Sequence, residues 1–109
     1  MKKVTLTCAH AIVKYLIAQK ILIEGKKEPL FPGVFGIFGH GNVACLGQAL
    51  EENQKELPTY RGHHEQNMAL TGIGYARAKR RQQIFVATSS VGPGATNMVT
   101  AAAVAMSNR

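Results

Sequence analysis

The chain has 109 residues, enough for one domain with a modest core. An apolar fraction of 46% without a low-complexity tract excludes a disordered chain, a collagen and a mucin. The net charge of +7, from 13 Lys and Arg against 6 acidic residues that are all Glu, raises the question of nucleic acid binding.

An amphipathic helix is the first predicted element. Thr7 is its predicted N-cap, and apolar residues recur at helical spacing for about four turns, with the stem of Lys20 at the end. Polar residues such as His10 and Lys14 interrupt this apolar stretch, so Met1-Lys2-Lys3 is not expected to open a signal peptide. We therefore expect a cytoplasmic protein.

The two cysteines, Cys8 and Cys45, lie in apolar segments and lack CxxC spacing. This pattern favours neither a disulfide nor a zinc site. We predict that both are buried and pack as small hydrophobic residues.

The rest of the chain alternates short apolar strands with helices. In order, the pattern predicts a loop over 24–33, a strand over 34–38, a helix from 43 closed near 58, a strand at 59–60, a helix over 64–79, a strand over 84–88 and a packed helix over 95–106. The run 84–88 is apolar without alternation, which is typical of a central parallel strand covered on both faces. We predict a three-layer α/β fold, a doubly wound parallel sheet with right-handed crossovers, in one domain over residues 1–109.

The basic residues form one run near the end of the third predicted helix, at Arg77, Lys79, Arg80 and Arg81. Cations there favour the negative end of the helix dipole and bind free carbonyls. The sequence has no zinc-finger spacing and no aromatic-rich strand to stack bases. We interpret the run as a solvated helix end and expect neither nucleic acid nor a membrane as partner, with a basic interaction module as the alternative.

The segment from Arg61 to Ala69 sets one carboxylate, Glu65, at the predicted start of the third helix and just after a short strand. A first-turn carboxylate can simply face the positive end of the helix, which is worth about 0.3–1 kcal/mol. His40 also follows a predicted strand, where a substrate would lie, and an imidazole can shuttle protons there. The alternative for His40 is a plain turn residue, and no spacing among the four histidines supports a metal site.

A second motif, T-S-S-V-G-P-G-A-T-N, spans 88–97. Gly92 and Gly94 let the backbone approach a ring closely, Pro93 stiffens the turn, and the helix predicted from Ala95 points free N–H groups toward the site. A phosphate-binding loop is disfavoured because the Lys of a Walker sequence is missing.

A dinucleotide site is a rival interpretation. Gly39-x-Gly41-x-x-Ala44 follows a strand and opens a helix, and Arg61 lies where an NADP-binding cation could sit. The match is weak because a long helix precedes the strand, His40 fills the middle position and no acidic residue is available for a ribose. Alternatively, Gly39 and Gly41 supply positive φ for a tight turn.

Taken in order, the first helix, the F-G-H-G-N turn at 38–42, the H-H-E-Q-N start at 63–67 and the S-V-G-P-G-A-T-N turn at 90–97 resemble the pyrimidine-binding domain of thiamine-diphosphate-dependent enzymes. The resemblance covers nearly the whole chain. The G-H-G-N turn and the loop around 26–32 look most like the trihydroxycyclohexanedione hydrolases, which cleave a carbon–carbon bond of a cyclic diketone in myo-inositol breakdown. Acetolactate synthases are an alternative, but they usually carry F-G-x-P-G at that turn.

The resemblance implies roles for individual residues. Glu65 would hydrogen-bond N1′ of the cofactor's aminopyrimidine ring, so that the imino tautomer of the exocyclic amine can take the proton of the thiazolium carbon. A carboxyl does this best where burial raises its pKa. Gly92, Pro93, Gly94 and Asn97 would bind the cofactor with Glu65, and His40 would act as a second catalytic residue on the substrate side.

The resemblance also implies what lies outside the chain. In the family, the diphosphate and its magnesium are held by a separate domain with a G-D-G…N pattern, whereas this chain contains no Asp. The implied partners are that domain, a second subunit of a homo-oligomer and a small-molecule substrate. Because the family continues into another strand after Ser107-Asn108-Arg109, we expect a truncated domain that is inactive alone.

Overall fold

A three-stranded parallel sheet with helices on both faces organises the chain. The computed structural model describes residues 3–108, so Met1, Lys2 and Arg109, with the predictions made on them, lie outside the described part. The elements are α1 Cys8–Ala18, β1 Lys20–Ile23, β2 Lys26–Pro29, β3 Val34–Gly36, α2 His40–Asn42, a π-helical segment Val43–Gly47, α3 Gln48–Glu52, β4 Thr59–Arg61, α4 Glu65–Ala78, β5 Val86–Thr88, α5 Pro93–Thr96 and α6 Val99–Asn108.

The sheet has the order β4-β3-β5, and both pairings are parallel. Val34 is in register with Thr59 on one side and with Val86 on the other. The predicted doubly wound α/β fold is therefore confirmed. The central strand within residues 3–108 is β3, however, and β5 lies at an edge, contrary to the prediction for 84–88. A continuous apolar run reports that both faces of a strand are covered, but it does not report the position of that strand in the sheet.

The two faces of the sheet pack differently. On one face α1 and α3 enclose a small aliphatic core of five fully buried residues: Val13, Val34, Ala49, Leu50 and Leu57. On the other face, below α4, the ring of Phe85 stacks on Phe35 at a centroid distance of 4.6 Å and meets the edge of Tyr75 at 4.8 Å. Each fully buried aliphatic side chain of the first cluster contributes about 1.5–3 kcal/mol. The three rings of the second cluster are half-buried and contribute less each, and together the two clusters hold the helices to the sheet.

Helix α1 begins as predicted, since the Thr7 side chain accepts a hydrogen bond from the backbone N–H of His10 at 3.2 Å. It ends earlier than predicted. Gln19 is extended and Lys20 opens β1, so the end of the predicted helix is wrong.

The loop predicted over 24–33 is largely a β-hairpin, in which β1 pairs antiparallel with β2. Glu24 and Gly25 form the two-residue turn, with φ of 50° and 79°. Positive φ at both turn residues is the signature of the turn whose twist matches the flanking strands.

The C-terminal helical stretch is two helices, although a single one was predicted from Ala95. Helix α5 begins two residues earlier, at Pro93, and the break lies where Met98 N–H bonds to the carbonyl of Ala95, a tighter i to i+3 turn. Helix α6 then starts at Val99 and packs on α4.

The basic run lies at the end of α4, as predicted. Arg80 and Arg81 are exposed and adopt the left-handed conformation, with φ of 52° and 61°. The backbone N–H of Arg81 bonds to the carbonyl of Ala76 at 2.7 Å, and its guanidinium donates to the carbonyl of Asn108 at 2.9 Å. The run therefore closes one helix and contacts the end of another.

Both cysteines are exposed free thiols, so the prediction that they are buried is wrong. Cys8 is the first residue of α1, and Cys45 lies in the π-helical segment. Apolar neighbours in sequence do not predict burial here. Residues that are adjacent in a helix lie on different faces, so a cysteine at a helix end or on the outer face can be exposed while its neighbours are covered.

The chain exposes more surface than a folded monomer of its mass usually does. Its accessible area is 7679 Å² at 11.8 kDa, whereas an ordinary monomer of that mass exposes about 5,900 Å². The molecule measures 43 × 42 × 21 Å and is therefore flat. Among the helices of residues 3–108, none is long and apolar enough to cross a bilayer.

Candidate functional site

The candidate site lies at the carboxyl ends of the three parallel strands. His40 follows β3, Glu65 follows β4 and Ser90 follows β5, each after a short connection. Open α/β sheets bind ligands at this edge, because the loops that leave parallel strands converge there.

Glu65 is the first residue of α4 and only 7% exposed. The preceding residue, His64, is the N-cap in extended conformation and makes no side-chain cap bond. The carboxylate of Glu65 therefore takes the place beside the positive end of the helix that a capping side chain often takes. The chain thus places a charged acceptor in a nearly closed position, at the helix start that the sequence predicted.

Ser90 holds this carboxylate. Its hydroxyl donates a hydrogen bond of 2.7 Å to Oε1 of Glu65. The pKa of the Glu65 carboxyl is below its ordinary value, first because of this bond and second because of the backbone N–H of Glu65 itself. Burial raises the pKa but is outweighed, and smaller contributions from the Asn97 side chain and the Ser90 backbone lower it further.

The direction of this shift corrects the expectation of a raised pKa. Burial alone disfavours the charged form, but hydrogen bonds donated to a carboxylate favour it. In this chain the hydrogen-bond donors lower the pKa of Glu65 by more than burial raises it, so the ionised form is favoured.

The glycines of the 88–97 motif have two different functions. Gly92 has φ of 59°, and an added Cβ would meet nothing within 4 Å, so its space is open and its conformation requires glycine. Gly94 is buried, and an added Cβ would collide with the Ser90 hydroxyl and the Glu65 carboxylate. Gly94 therefore serves close packing around Glu65, whereas only Gly92 faces open space.

Pro93 and Asn97 bound helix α5. Pro93 is its first residue, where the missing N–H costs nothing, and Asn97 is its C-cap. The helix is one turn long and brings Asn97 close enough to lower the pKa of Glu65. The structure thus groups Glu65 with Gly94 and Asn97 of the second motif.

His40 is exposed at the start of α2. It lines a hollow of about 400 Å³. The other lining residues are Phe38, Gly39, Val43, Ser90 and Val91. Ser90 therefore connects the two predicted catalytic residues, because it lines the hollow with His40 and bonds to Glu65.

The other histidines lie apart from this hollow. His10 bridges α1 and α3: its Nε2 lies 2.7 Å from Oε2 of Glu52, and its Nδ1 lies 2.7 Å from Oγ1 of Thr7. His63 and His64 line a smaller hollow of about 220 Å³ with Arg61. Within residues 3–108, no three His, Cys, Asp or Glu side chains are grouped to hold a metal ion.

Gly39 and Gly41 do not supply positive φ, so that interpretation of the turn is wrong. Gly39 is an extended N-cap with φ of −82°, and Gly41 lies within α2. The glycines with positive φ in the described residues are Gly25 and Gly92. Gly39 instead lies against the loop that carries Ser90, where an added Cβ would lie 3.4 Å from the backbone nitrogen of Val91.

Ser90 is the site residue to which the sequence alone assigned no role. It lies within the quoted motif, but nothing in the local pattern separates it from Ser89. The contact joins residues that are 25 positions apart in sequence, so it depends on how the loop after β5 packs against the start of α4. The available signal was a pair of hydroxyls, Ser89 and Ser90, between an apolar strand and a glycine turn.

Comparison with known proteins gives one family and a consistent set of relatives. Residues 7–109 match the family described as "Thiamine pyrophosphate enzyme, N-terminal TPP binding domain". The chain is 54% identical over 108 residues to the 3D-(3,5/4)-trihydroxycyclohexane-1,2-dione hydrolase of Geobacillus thermodenitrificans, 50% to that of Bacillus thuringiensis and 49% to that of Clostridium tetani. Each alignment covers 99% of this chain and 17% of the relative, so the chain spans about a sixth of the length of these proteins.

Proposed function

Because the chain belongs to the thiamine pyrophosphate enzymes through their N-terminal TPP-binding domain, we propose that it forms the half of the cofactor site that receives the aminopyrimidine ring. Glu65 is the residue we assign to N1′ of that ring. The proposal rests above all on one observation, the nearly buried Glu65 carboxylate that Ser90 holds at the carboxyl edge of a parallel sheet.

The residues present fit such a ring. An aminopyrimidine offers a ring nitrogen that is protonated during activation, and a carboxylate accepts a hydrogen bond from it. The backbone around Gly92 faces open space, so a flat ring can approach without meeting a side chain. Asn97, at the end of α5, offers both a donor and an acceptor.

When bound, the cofactor supplies a thiazolium carbon that attacks a carbonyl once its proton is removed. The chain's own contribution is made at Glu65, whose carboxylate stabilises a proton on N1′ and so makes the exocyclic amine acidic. Burial of Glu65 keeps water from competing for this hydrogen bond. Gly92, Pro93 and Asn97 would fix the position of the ring relative to that carboxylate, and Gly94 would contribute to the site by leaving room for the Glu65 carboxylate beside Ser90.

We further propose that the whole protein is a carbon–carbon hydrolase acting on a cyclic diketone of myo-inositol breakdown. The support is the name shared by the relatives, at 49–54% identity over this domain, together with the G-H-G-N turn that ends β3. His40 lies in that turn and faces the hollow of about 400 Å³. In this proposal the imidazole carries a proton to or from the substrate.

The remaining half of the site is proposed to come from elsewhere. The described residues offer no group of metal ligands, and the sequence contains no Asp. In this proposal magnesium and the diphosphate are held by a separate diphosphate-binding domain, and a second subunit completes the site. The surface in excess of an ordinary monomer, about 1,800 Å², is roughly twice the area of about 800 Å² that one partner buries in a standard protein interface. Residues such as Val43 and Val91, 57% and 82% exposed beside the hollow, are where such contacts would begin.

The test of the cofactor role is Glu65→Gln in a full-length enzyme that carries this domain. We expect turnover to fall by about a hundredfold or more, because a positioned acid–base group is lost. Exchange of the thiazolium C2 proton, followed by NMR after quenching, should slow in parallel. Glu56→Gln, at an exposed glutamate, is the matched control. An exchange rate unchanged by Glu65→Gln would remove Glu65 from this role.

The test of the divided site uses the 109-residue chain itself. Calorimetric titration with thiamine diphosphate and magnesium should detect negligible binding, no hydrolase activity should be measurable, and sedimentation should detect self-association through the exposed apolar surface. Micromolar binding by a stable monomer would contradict the division of the site.

A further inference from the structure

The Ser90–Glu65 contact joins two of the loops that build the candidate site. Ser90 leaves β5 and Glu65 begins α4, and the donor and acceptor oxygens lie 2.7 Å apart. The hydrogen bond engages Oε1, and a carboxylate has about four lone-pair sites, so the bond from Ser90 uses only part of its capacity to accept. The Ser90 hydroxyl thus fixes one oxygen of Glu65, and the carboxylate can still accept a hydrogen bond from a ligand.

We propose that Ser90 is a positioning residue, whose hydroxyl fixes the orientation of the Glu65 carboxylate so that its second oxygen is presented to the aminopyrimidine ring. The presentation to the ring rests on the proposed function above. The fixing of the carboxylate does not, because it is a property of this chain alone.

Three features of the structure support this role. Glu65 is 7% exposed, so in place of bulk water a fixed donor determines its orientation. Gly94 leaves the space in which the hydroxyl and the carboxylate meet, since any Cβ there would separate them. The neighbouring hydroxyl of Ser89 makes no such bond, which makes the contact specific to Ser90 within the described residues.

The charge state of Glu65 agrees with this geometry. Donation from the Ser90 hydroxyl is the largest cause that lowers the pKa of the carboxyl, ahead of the backbone N–H groups and Asn97. Removal of the hydroxyl leaves burial less opposed, and the pKa of Glu65 must then rise.

The first experiment measures Glu65 in the 109-residue chain by pH titration of its side-chain carboxyl ¹³C resonance. In the native sequence the resonance should titrate below the ordinary glutamate pKa of about 4.3. Ser90→Ala should move the titration upward, whereas Ser90→Thr, which keeps the hydroxyl, and Ser89→Ala, the matched neighbour, should not. An unchanged titration in Ser90→Ala would overturn the proposal. A Glu65 carboxyl that titrates at or above the ordinary value in the native chain would also overturn the proposal. This outcome does not require a variant to fold.

The second experiment uses the full-length enzyme and the pH dependence of C2 proton exchange. In Ser90→Ala the acidic limb of the profile should move to higher pH, and Ser90→Thr should restore it. A purely structural role would lower the exchange rate equally at all pH values. If Glu65→Gln has no effect on exchange while Ser90→Ala still shifts the ¹³C titration, the cofactor role fails and the positioning role stands. If Glu65→Gln slows exchange and Ser90→Ala shifts neither readout, the positioning role fails alone.

Discussion

Gly94 and Gly74 are both helical glycines, and replacing each by Ala should change stability in opposite directions. At Gly94 the added methyl group would overlap the Ser90 hydroxyl and the Glu65 carboxylate, which are hydrogen-bonded to each other. Overpacking of this kind costs about 1–3 kcal/mol. Alanine recovers about 0.5–1 kcal/mol of the entropy that glycine loses on folding. We therefore expect Gly94→Ala to lower the free energy of unfolding by about 1–2 kcal/mol.

Gly74 is the control because an added Cβ would meet nothing within 4 Å in the middle of α4. Gly74→Ala should raise the free energy of unfolding by about 0.5–1 kcal/mol through helix propensity alone. Equilibrium urea unfolding of the 109-residue chain, followed by far-ultraviolet circular dichroism, measures both. With a slope of about 2 kcal/mol per molar urea, the midpoint should fall by roughly 0.5–1 M for Gly94→Ala. A Gly94→Ala chain at least as stable as the native one would refute the packing described around Glu65.

Three further predictions concern other parts of the molecule. His40→Ala in the full-length enzyme should reduce turnover more than cofactor affinity, and a loss confined to cofactor affinity, measured by calorimetry, would assign His40 to the other side of the site. Arg80→Gly should raise the free energy of unfolding by about 0.5–1 kcal/mol, since a left-handed residue costs about 1–2 kcal/mol and glycine loses part of that gain in the unfolded chain. Urea unfolding measures both this variant and the control Arg77→Gly, which should lower the free energy of unfolding by about 1 kcal/mol because that residue is helical. The pKa of Glu52 is lowered, first by its hydrogen bond with His10, so its contribution is complete above the ordinary value near 4.5 and is lost as the pH falls through the folded value. The urea midpoint of the native chain should thus fall toward that of Glu52→Gln as the pH drops below about 4.5, and a constant difference between the two chains would contradict this.

The sequence predicted the parallel sheet because its signals are local. The apolar runs at β3 and β5 and the short Thr59-Tyr60 segment at β4 are each followed by glycine or polar residues and a helical pattern, which predicts the three strands and their sequence order. The hairpin was missed for an equally local reason. Ile21, Leu22 and Ile23 extend the apolar pattern of α1, and the turn uses Glu24 before Gly25, where Asn or Asp is the stronger signal.

The candidate site was predictable only as far as its residues are fixed by strand ends. Glu65 and His40 follow strands directly, so the carboxyl edge of the sheet could be expected to hold both. Ser90 could not be distinguished from Ser89, since which hydroxyl reaches Glu65 depends on packing across 25 residues. Gly92 and Gly94 read alike in the sequence, although one meets a requirement for positive φ and the other a requirement for space. The sign of the Glu65 shift likewise depends on donors contributed by a distant loop.

The spacing of the site along the chain has a consequence for folding kinetics. The β1–β2 hairpin closes over two residues and can form in microseconds, whereas every pairing of the parallel sheet must first close a long loop through a helix. The Ser90–Glu65 bond spans 25 residues and lies beyond the ends of those strands, so it can form only once β4 and β5 are both in register with β3. We therefore expect a refolding chain to form the hairpin early and the Ser90–Glu65 hydrogen bond in the rate-limiting step. Recovery of the Glu65 environment then reports completion of the sheet.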